Sequence, residues 1–154
     1  MAEFVRVYRS GIINAPLASV WSTIQNFNDL PKWTGVVASS SLENNRQDNS
    51  IGCVRVVNLL NPHPTDSRPI REELISYNVR THSFTYKIVD GPIPFEYFKE
   101  YYATVTLFEV TDTNQTFLEW KSEFYAPQGT GEKYEQFAGA VYMKGINSLK
   151  TMFP

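Results

Sequence analysis

Residues 132–152 read EKYEQFAGAVYMKGINSLKTM, and this stretch decides the fold. Apolar or small residues recur along it at steps of three and four, which predicts a long amphipathic helix from Glu132 to Met152. The recurring residues are Tyr134, Ala138, Val141, Gly145, Leu149 and Met152. Thr130 is the expected N-cap. Four small residues allow this helix to approach a sheet closely: Ala138, Gly139, Ala140 and Gly145.

The chain before this helix predicts short antiparallel strands separated by polar, glycine or proline turns. A first strand over Phe4–Ile13 ends at Asn14-Ala15-Pro16, and Pro16 is suited to an early helical position. Two short helical pieces follow, one carrying Val20, Trp21 and Ile24 and one over Asn26–Trp33. Six further strands are predicted at about Val36–Glu43, Ile51–Asn58, Ile70–Tyr77, Ser83–Val89, Glu100–Val110 and Thr116–Tyr125.

Seven antiparallel strands can bury one long helix only if the sheet curls around it. We therefore expect an α+β fold, with residues 1–154 as one domain and two short helices after the first strand. A gap between the sheet and the helix would form a cavity for a small molecule. The aromatic content of 14% suits the lining of such a cavity, and it equally suits a solid core.

Composition excludes several classes of partner. The net charge is −2 and no run of Lys or Arg is present, so neither a nucleic acid nor an anionic lipid surface is expected as a partner. No stretch approaches the roughly 18 apolar residues of a membrane span. The start Met-Ala-Glu-Phe-Val-Arg is not a secretory signal, so a cytoplasmic protein is expected. Monomer and homodimer both remain open.

Metal and cofactor chemistry are not expected either. Cys53 is the single cysteine, so it can form no internal disulfide and is expected to be a small buried hydrophobe. One thiol and two separated histidines, His63 and His82, cannot make a closed zinc site. Motifs for phosphate or nucleotide binding and for a nucleophilic serine are missing, so the prediction is no cofactor and no metal.

Local motifs connect this element order with a known superfamily. They are Ile13-Asn14-Ala15-Pro16 followed by Val20-Trp21, then Phe27-Asn28-Asp29-Leu30-Pro31-Lys32-Trp33, Ile51-Gly52-Cys53-Val54-Arg55, Arg71-Glu72-Glu73-Leu74 and Leu118-Glu119-Trp120. Together with the order strand, helix pair, meander and long helix, they resemble the helix-grip (SRPBCC, START-like) superfamily. The resemblance covers the whole chain and includes the polyketide cyclase/dehydrase family.

Within that superfamily, Gly52–Arg55, Glu72 and Glu100-Tyr101-Tyr102 look like stretches of plant lachrymatory factor synthase. There an arginine, a glutamate and a tyrosine at the matching places line the cavity and handle proton transfer. The resemblance thus implies that Arg55, Glu72 and Tyr102 lie in the pocket, where they are the predicted catalytic residues. It carries over the pocket and not the reaction, because nothing in the chain indicates a sulfenic acid substrate.

Both charged residues also have a structural interpretation. Arg55 and Glu72 lie mid-strand among apolar residues, and strand alternation can turn each of them inward or outward. If inward, they would pair, because a lone buried charge costs several kcal/mol. They would then either hold a substrate oxygen and move a proton, or serve only as a salt bridge. Tyr102 is either a hydrogen-bond donor to ligand or core packing.

The ligand-binding wall is expected to be aromatic and aliphatic. Phe84, Tyr86 and Trp120 share strand parity with other apolar residues and should face inward. The full predicted set is Trp33, Phe84, Tyr86, Ile88, Phe95, Trp120, Phe137 and Val141. The loop Asp90–Phe95 is longer than a hairpin needs, so it either forms a lid over a binding mouth or packs against the C-terminal helix.

The leading functional hypothesis is a protein that binds a hydrophobic small molecule, such as a polyketide-like or aromatic carbonyl compound. It would catalyse cofactor-free cyclisation, dehydration or isomerisation by acid/base chemistry. The rival is a non-catalytic carrier or sensor of a lipid or secondary metabolite on the same fold. A third option is a module that binds a protein partner through its proline-rich loops.

Overall fold

A computed structural model describes all residues 1–154, and it contains one antiparallel sheet and one long helix. The strands are β1 (Ala2–Ile13), β2 (Val37–Leu42), β3 (Val54–Leu59), β4 (Ile70–Asn78), β5 (Ser83–Asp90), β6 (Lys99–Val110) and β7 (Gln115–Pro127). The helices are α1 (Leu17–Ile24), α2 (Leu30–Trp33) and α3 (Gly131–Met152), with short 3-10 turns at Glu43–Asn45 and Phe95–Tyr97. This order confirms the predicted fold class.

The seven strands lie in the order β1-β7-β6-β5-β4-β3-β2, and all neighbours are antiparallel. The pairing register shifts within β2–β3, twice within β4–β5 and once within β6–β7. Such irregularities bend a strand and increase its twist. They therefore help the sheet to curve around α3, which packs mainly against β1 and β7.

Glycine and alanine bring α3 close to the sheet, as the sequence predicts. Ala138, Gly139 and Gly145 are buried, whereas Ala140 is exposed and takes no part in this contact. A Cβ added at Gly145 would lie 2.9 Å from Cζ3 of Trp120. That spacing leaves no room for a side chain, so Gly145 fixes how closely the helix approaches the sheet at Trp120.

The N-terminus of α3 is capped differently from the sequence prediction. Thr130 occupies the N-cap position, but its hydroxyl donates a hydrogen bond to the carbonyl of Pro127 and does not cap the helix. The carboxylate of Glu3 on β1 accepts the hydrogen bond of the Gly131 N–H instead. This long-range contact ties the helix start to the edge strand and places a negative charge at the positive end of the helix.

Candidate functional site

A cavity of about 390 Å³ lies between the concave face of the sheet and α3. Fifteen of its 21 lining residues are hydrophobic, so its wall suits an apolar ligand. The lining comes from α2 and its following turn, from β2 to β7 with their connecting loops, and from α3. Its hydrophobic members include Val57, Tyr86, Ile88, Tyr101, Trp120, Val141 and Tyr142.

Arg55 and Glu72 form the charged centre of this wall. Strands β3 and β4 place them opposite each other in the register, and Nε of Arg55 lies 2.8 Å from Oε1 of Glu72. The two residues are only 1% and 7% exposed. They point inward and pair, as the inward interpretation of the sequence requires. An ion pair this deep needs its remaining hydrogen bonds satisfied, because desolvation penalises both charges.

Arg55 is held by further contacts. One terminal nitrogen, Nη1, donates a hydrogen bond to the carbonyl of Phe27. The guanidinium carbon lies 3.8 Å from the ring centroid of Phe27 and 4.8 Å from that of Tyr86. Stacking between aromatic faces stabilises a cation and fixes its plane. The Arg55 side chain is therefore rigidly oriented before any ligand arrives.

Each partner of the pair keeps one polar atom unused. Oε2 of Glu72 and Nη2 of Arg55 make no hydrogen bond within the protein, and neither atom is completely buried. Both residues line the cavity. The pair thus offers a ligand one carboxylate acceptor and one guanidinium donor side by side.

Three tyrosines and a tryptophan add polar atoms to the same wall. The indole Nε1 of Trp120 donates to the Tyr86 hydroxyl at 3.1 Å, and the Trp120 ring stacks on Tyr142 with centroids 4.5 Å apart. The hydroxyls of Tyr101 and Tyr142 contact each other in a hydrogen bond. Beside them lies the buried Ser122 hydroxyl, which has no hydrogen-bond partner of normal geometry.

Burial keeps these phenols protonated. It raises the pKa of Tyr101 to about 12 and raises the pKa of both Tyr86 and Tyr142 well above that of a free tyrosine. At neutral pH the tyrosines are therefore neutral hydrogen-bond donors and not bases. Among the groups that line the cavity, the free oxygen of Glu72 is therefore the candidate proton acceptor.

Exposed lining residues mark the mouth of the cavity. Only three of the lining residues are exposed, namely Gly35, Asn61 and Lys144. Gly35 follows α2, Asn61 lies in the loop after β3, and Lys144 lies on α3. Arg55 lies four residues before the end of β3, Leu59, which corresponds to a depth of about 13 Å along the strand.

Six of the eight predicted ligand-binding residues line the cavity: Tyr86, Ile88, Phe95, Trp120, Phe137 and Val141. The other two lie behind its wall. Trp33 is buried with its ring 5.6 Å from that of Trp120, and Phe84 is buried with its ring 6.2 Å from that of Phe27. Trp33 thus supports the lining residue Trp120, whereas Phe84 supports Phe27, whose ring contacts the guanidinium of Arg55. Neither Trp33 nor Phe84 lines the cavity itself.

The expected position of Tyr102 is wrong. Its side chain is 37% exposed on the outer face of the sheet, where Lys87 lies over its ring. A bulge in β6 explains the difference: Glu100 is an extra residue with φ of 53°, and Tyr102 pairs with the outward Glu123. The tyrosine that reaches the cavity is Tyr101.

The loop Asp90–Phe95 packs against the C-terminal helix α3, which is the second of its two predicted alternatives. The Phe95 ring lies 5.5 Å from that of Phe137 on α3, and both residues line the cavity. Asp66 accepts a hydrogen bond from the N–H of Ile93 at 2.9 Å, which fastens this loop to the loop between β3 and β4. The loop therefore closes one side of the cavity, and the exposed residues of the mouth lie elsewhere.

The predicted site residues include eight of the 21 that line the cavity, and the missed ones include two tyrosines with hydroxyl groups, Tyr101 and Tyr142. A signal existed for Tyr101, because it alternates with the inward residues Ala103, Val105 and Leu107. For Tyr142 the signal was its position four residues after Ala138, on the buried face of α3. Cys53 is fully buried, and this burial raises the pKa of its thiol.

Two further observations bear on binding partners. No group of three or more His, Cys, Asp or Glu side chains is arranged to hold a metal ion. None of the helices combines the length and apolarity needed to cross a lipid bilayer.

Comparison with known families gives a match over nearly the whole chain. A model of the family described as polyketide cyclase / dehydrase and lipid transport matches residues 5–153. A comparison with curated proteins finds no match. The local similarity to plant lachrymatory factor synthase is not shown by these comparisons and stays a prediction.

Solved structures with the same helix-grip fold are similar to this chain along its full length. A protein from Nitrosospira multiformis has a TM-score of 0.83 and 23% identity, covering 97% of this chain and 96% of that chain. XoxI from Bacillus cereus has a TM-score of 0.82 and 26% identity, covering 97% and 95%. A Bacillus thuringiensis protein has a TM-score of 0.80 and 26% identity, covering 97% and 98%.

Proposed function

This chain belongs to the polyketide cyclase / dehydrase and lipid transport family, and on that basis we propose that it binds a hydrophobic carbonyl compound and catalyses proton transfer on it without a cofactor. The ligand occupies the cavity between the sheet and α3. Cyclisation, dehydration and isomerisation of carbonyl compounds share one early step, the removal of a proton from the carbon next to the carbonyl. That step is the activity we assign to the site.

One observation carries the proposal: a buried ion pair interrupts an otherwise apolar cavity wall. Arg55 and Glu72 are 2.8 Å apart, and each keeps one atom without a protein partner. A salt bridge that served stability alone could be replaced by apolar side chains at little cost. Oriented charges in an apolar cavity are also strongly effective at stabilising charge that develops during a reaction.

The chemistry follows from the two unused atoms. Oε2 of Glu72 takes the proton from the carbon, and the electron pair of the broken C–H bond moves onto the carbonyl oxygen. Nη2 of Arg55 donates a hydrogen bond to that developing oxyanion. Glu72 then returns the proton either to another carbon, which gives isomerisation, or to a leaving hydroxyl, which departs as water. At neutral pH the protonated hydroxyl of Tyr101 donates a second hydrogen bond to the same oxyanion.

A non-catalytic carrier is the second candidate. The family description includes lipid transport, and the ion pair also fits this function, because Arg55 and Glu72 neutralise each other within the cavity wall. The carrier would use the same cavity and the same apolar contacts. The two functions therefore differ in turnover and not in binding.

Deuterium exchange on 2-tetralone separates these functions. This bicyclic aromatic ketone has acidic protons next to its carbonyl, and their loss in D₂O is followed by proton NMR. We expect the protein to bind 2-tetralone and to accelerate exchange above the buffer rate. The Glu72→Gln variant should still bind the ketone and lose about a hundredfold or more of the acceleration.

The matched control is Glu73→Gln, the neighbouring residue on the opposite face of β4. It should leave both binding and exchange unchanged. Binding of 2-tetralone without accelerated exchange would favour the carrier over the enzyme. Failure of both 2-tetralone and 1-decanol to bind would contradict the apolar site itself.

A further inference from the structure

The charges that line the cavity do not balance. Three charged residues take part in the lining: Arg55, Glu72 and Lys144. The first two form an ion pair with each other, whereas Lys144 takes part in no ion pair and no side-chain hydrogen bond of the protein. The cavity thus carries one uncompensated positive charge, and that charge lies at its mouth.

The position of Lys144 distinguishes it from the other lysines of α3. It lies three residues after Val141, on the part of the helix that lines the cavity, and Asn61 and Gly35 are the other exposed residues of the lining. Lys133 lies near the ring of Tyr134, and Lys150 lies near Gly11 on β1. Neither of these two lysines lines the cavity.

We propose that the ligand is an amphiphile with a single negative charge, such as a carboxylate, which lies at the mouth against Lys144 while the apolar body fills the cavity. This inference rests on the proposed ligand-binding function and names the class of ligand. An anionic end stays at the mouth because the wall deeper in the cavity is apolar and would desolvate it without compensation. The one cation deeper in, Arg55, is already neutralised by Glu72.

The same geometry orients the ligand. Lys144 holds the charged end at the surface, and the far end of the apolar body points toward Arg55 and Glu72, about 13 Å down β3 from Leu59. A neutral molecule of the same shape would lose the contact with Lys144. A cationic molecule would be repelled by it. Because the site is open to water, the attraction should weaken as salt increases.

Four ligands with one common tail test this inference: decanoate, decyl sulfate, 1-decanol and decylamine. Their affinities are measured at pH 7.5 by titration calorimetry, with intrinsic tryptophan fluorescence as a second readout. Both anions should bind about fivefold or more tightly than 1-decanol, and decylamine should bind more weakly than 1-decanol. The anion that binds more tightly identifies the preferred head group.

Two lysine variants complete the test. Lys144→Gln should reduce the affinity for decanoate to about that for 1-decanol and leave 1-decanol binding unchanged. Lys150→Gln, on the same helix but outside the cavity, should change neither affinity. Equal binding of decanoate and 1-decanol, unaffected by Lys144→Gln, would overturn this inference and leave the apolar site standing. Binding of none of the four ligands would overturn both.

Discussion

Replacing Arg55 with methionine tests whether the burial of Glu72 depends on its ion pair with Arg55. Methionine keeps most of the volume and the flexible stem of the side chain, and it removes the charge and the hydrogen-bond donors. Glu72 then remains only 7% exposed, with no cation beside it. The carbonyl of Phe27 also loses the hydrogen bond from Nη1.

The size of the effect can be worked from these contacts. Removing one partner of a buried ion pair leaves an uncompensated charge and costs about 3–5 kcal/mol. Loss of the guanidinium from between the rings of Phe27 and Tyr86 adds roughly 0.5–2 kcal/mol, which a well-packed methionine partly restores. We therefore expect the free energy of unfolding of Arg55→Met to fall by about 4 kcal/mol at pH 7.

Urea unfolding followed by tryptophan fluorescence measures this loss. The matched control is Arg71→Met on the neighbouring strand, because Arg71 pairs with Glu43 at 2.6 Å but the two side chains are 37% and 26% exposed. That variant should lose less than about 1 kcal/mol. A double variant, Arg55→Met with Glu72→Met, should recover most of the loss, because it buries no lone charge.

Two results would refute this reasoning. If Arg55→Met lost no more stability than Arg71→Met, Glu72 would not depend on Arg55 for its burial. If the double variant were as unstable as the single one, the loss would come from packing and not from charge. Either result would remove the electrostatic basis of the proposed acid/base site.

Three further predictions concern the surroundings of the site. Gly145→Ala should lower the free energy of unfolding by about 1 kcal/mol and weaken 1-decanol binding, because its Cβ would lie 2.9 Å from Trp120; equal or greater stability in urea would contradict this. Tyr101 has its pKa raised to about 12, so the stability that its neutral form contributes, roughly 3 kcal/mol, is fully present below pH 10 and is lost as pH rises toward 12. Tyr101→Phe should reduce that fall in urea midpoints between pH 10 and 12 without abolishing it, because the pKa values of Tyr86 and Tyr142 are raised as well. An unchanged slope would contradict this prediction. Glu3→Gln should lower stability by roughly 1 kcal/mol through the α3 cap, and a loss no larger than that of Glu109→Gln, an exposed glutamate on β6, would rule out the cap.

Most of the fold could be predicted from the sequence because each element carries its own periodicity. The steps of three and four in residues 132–152 predict α3 to within one residue of its observed start at Gly131. Alternation and turn residues predict all seven strands. The break at Asn14–Pro16 predicts the first short helix, and the spacing of Phe27, Leu30 and Trp33 predicts the second. These signals are local, so they can be recognised in the sequence without knowledge of tertiary contacts.

Features that depend on register or on distant contacts could not be predicted in the same way. The misplacement of Tyr102 came from the bulge at Glu100, which no composition rule marks. Sequence alone could not decide whether Arg55 and Glu72 point inward, because strand parity is fixed only once the pairing is known. The cap of α3 by Glu3 joins residues 128 positions apart, beyond the reach of any local motif.

Intermolecular NOEs between 1-decanol and the methyl groups of the protein test the central claim most directly. We expect NOEs to Val57, Ile88 and Val141, which line the cavity from β3, β5 and α3. Ile12 on the outer face of β1 serves as the internal control. NOEs confined to Ile12 and other surface methyls, with none to the three lining residues, would contradict a ligand site between the sheet and α3.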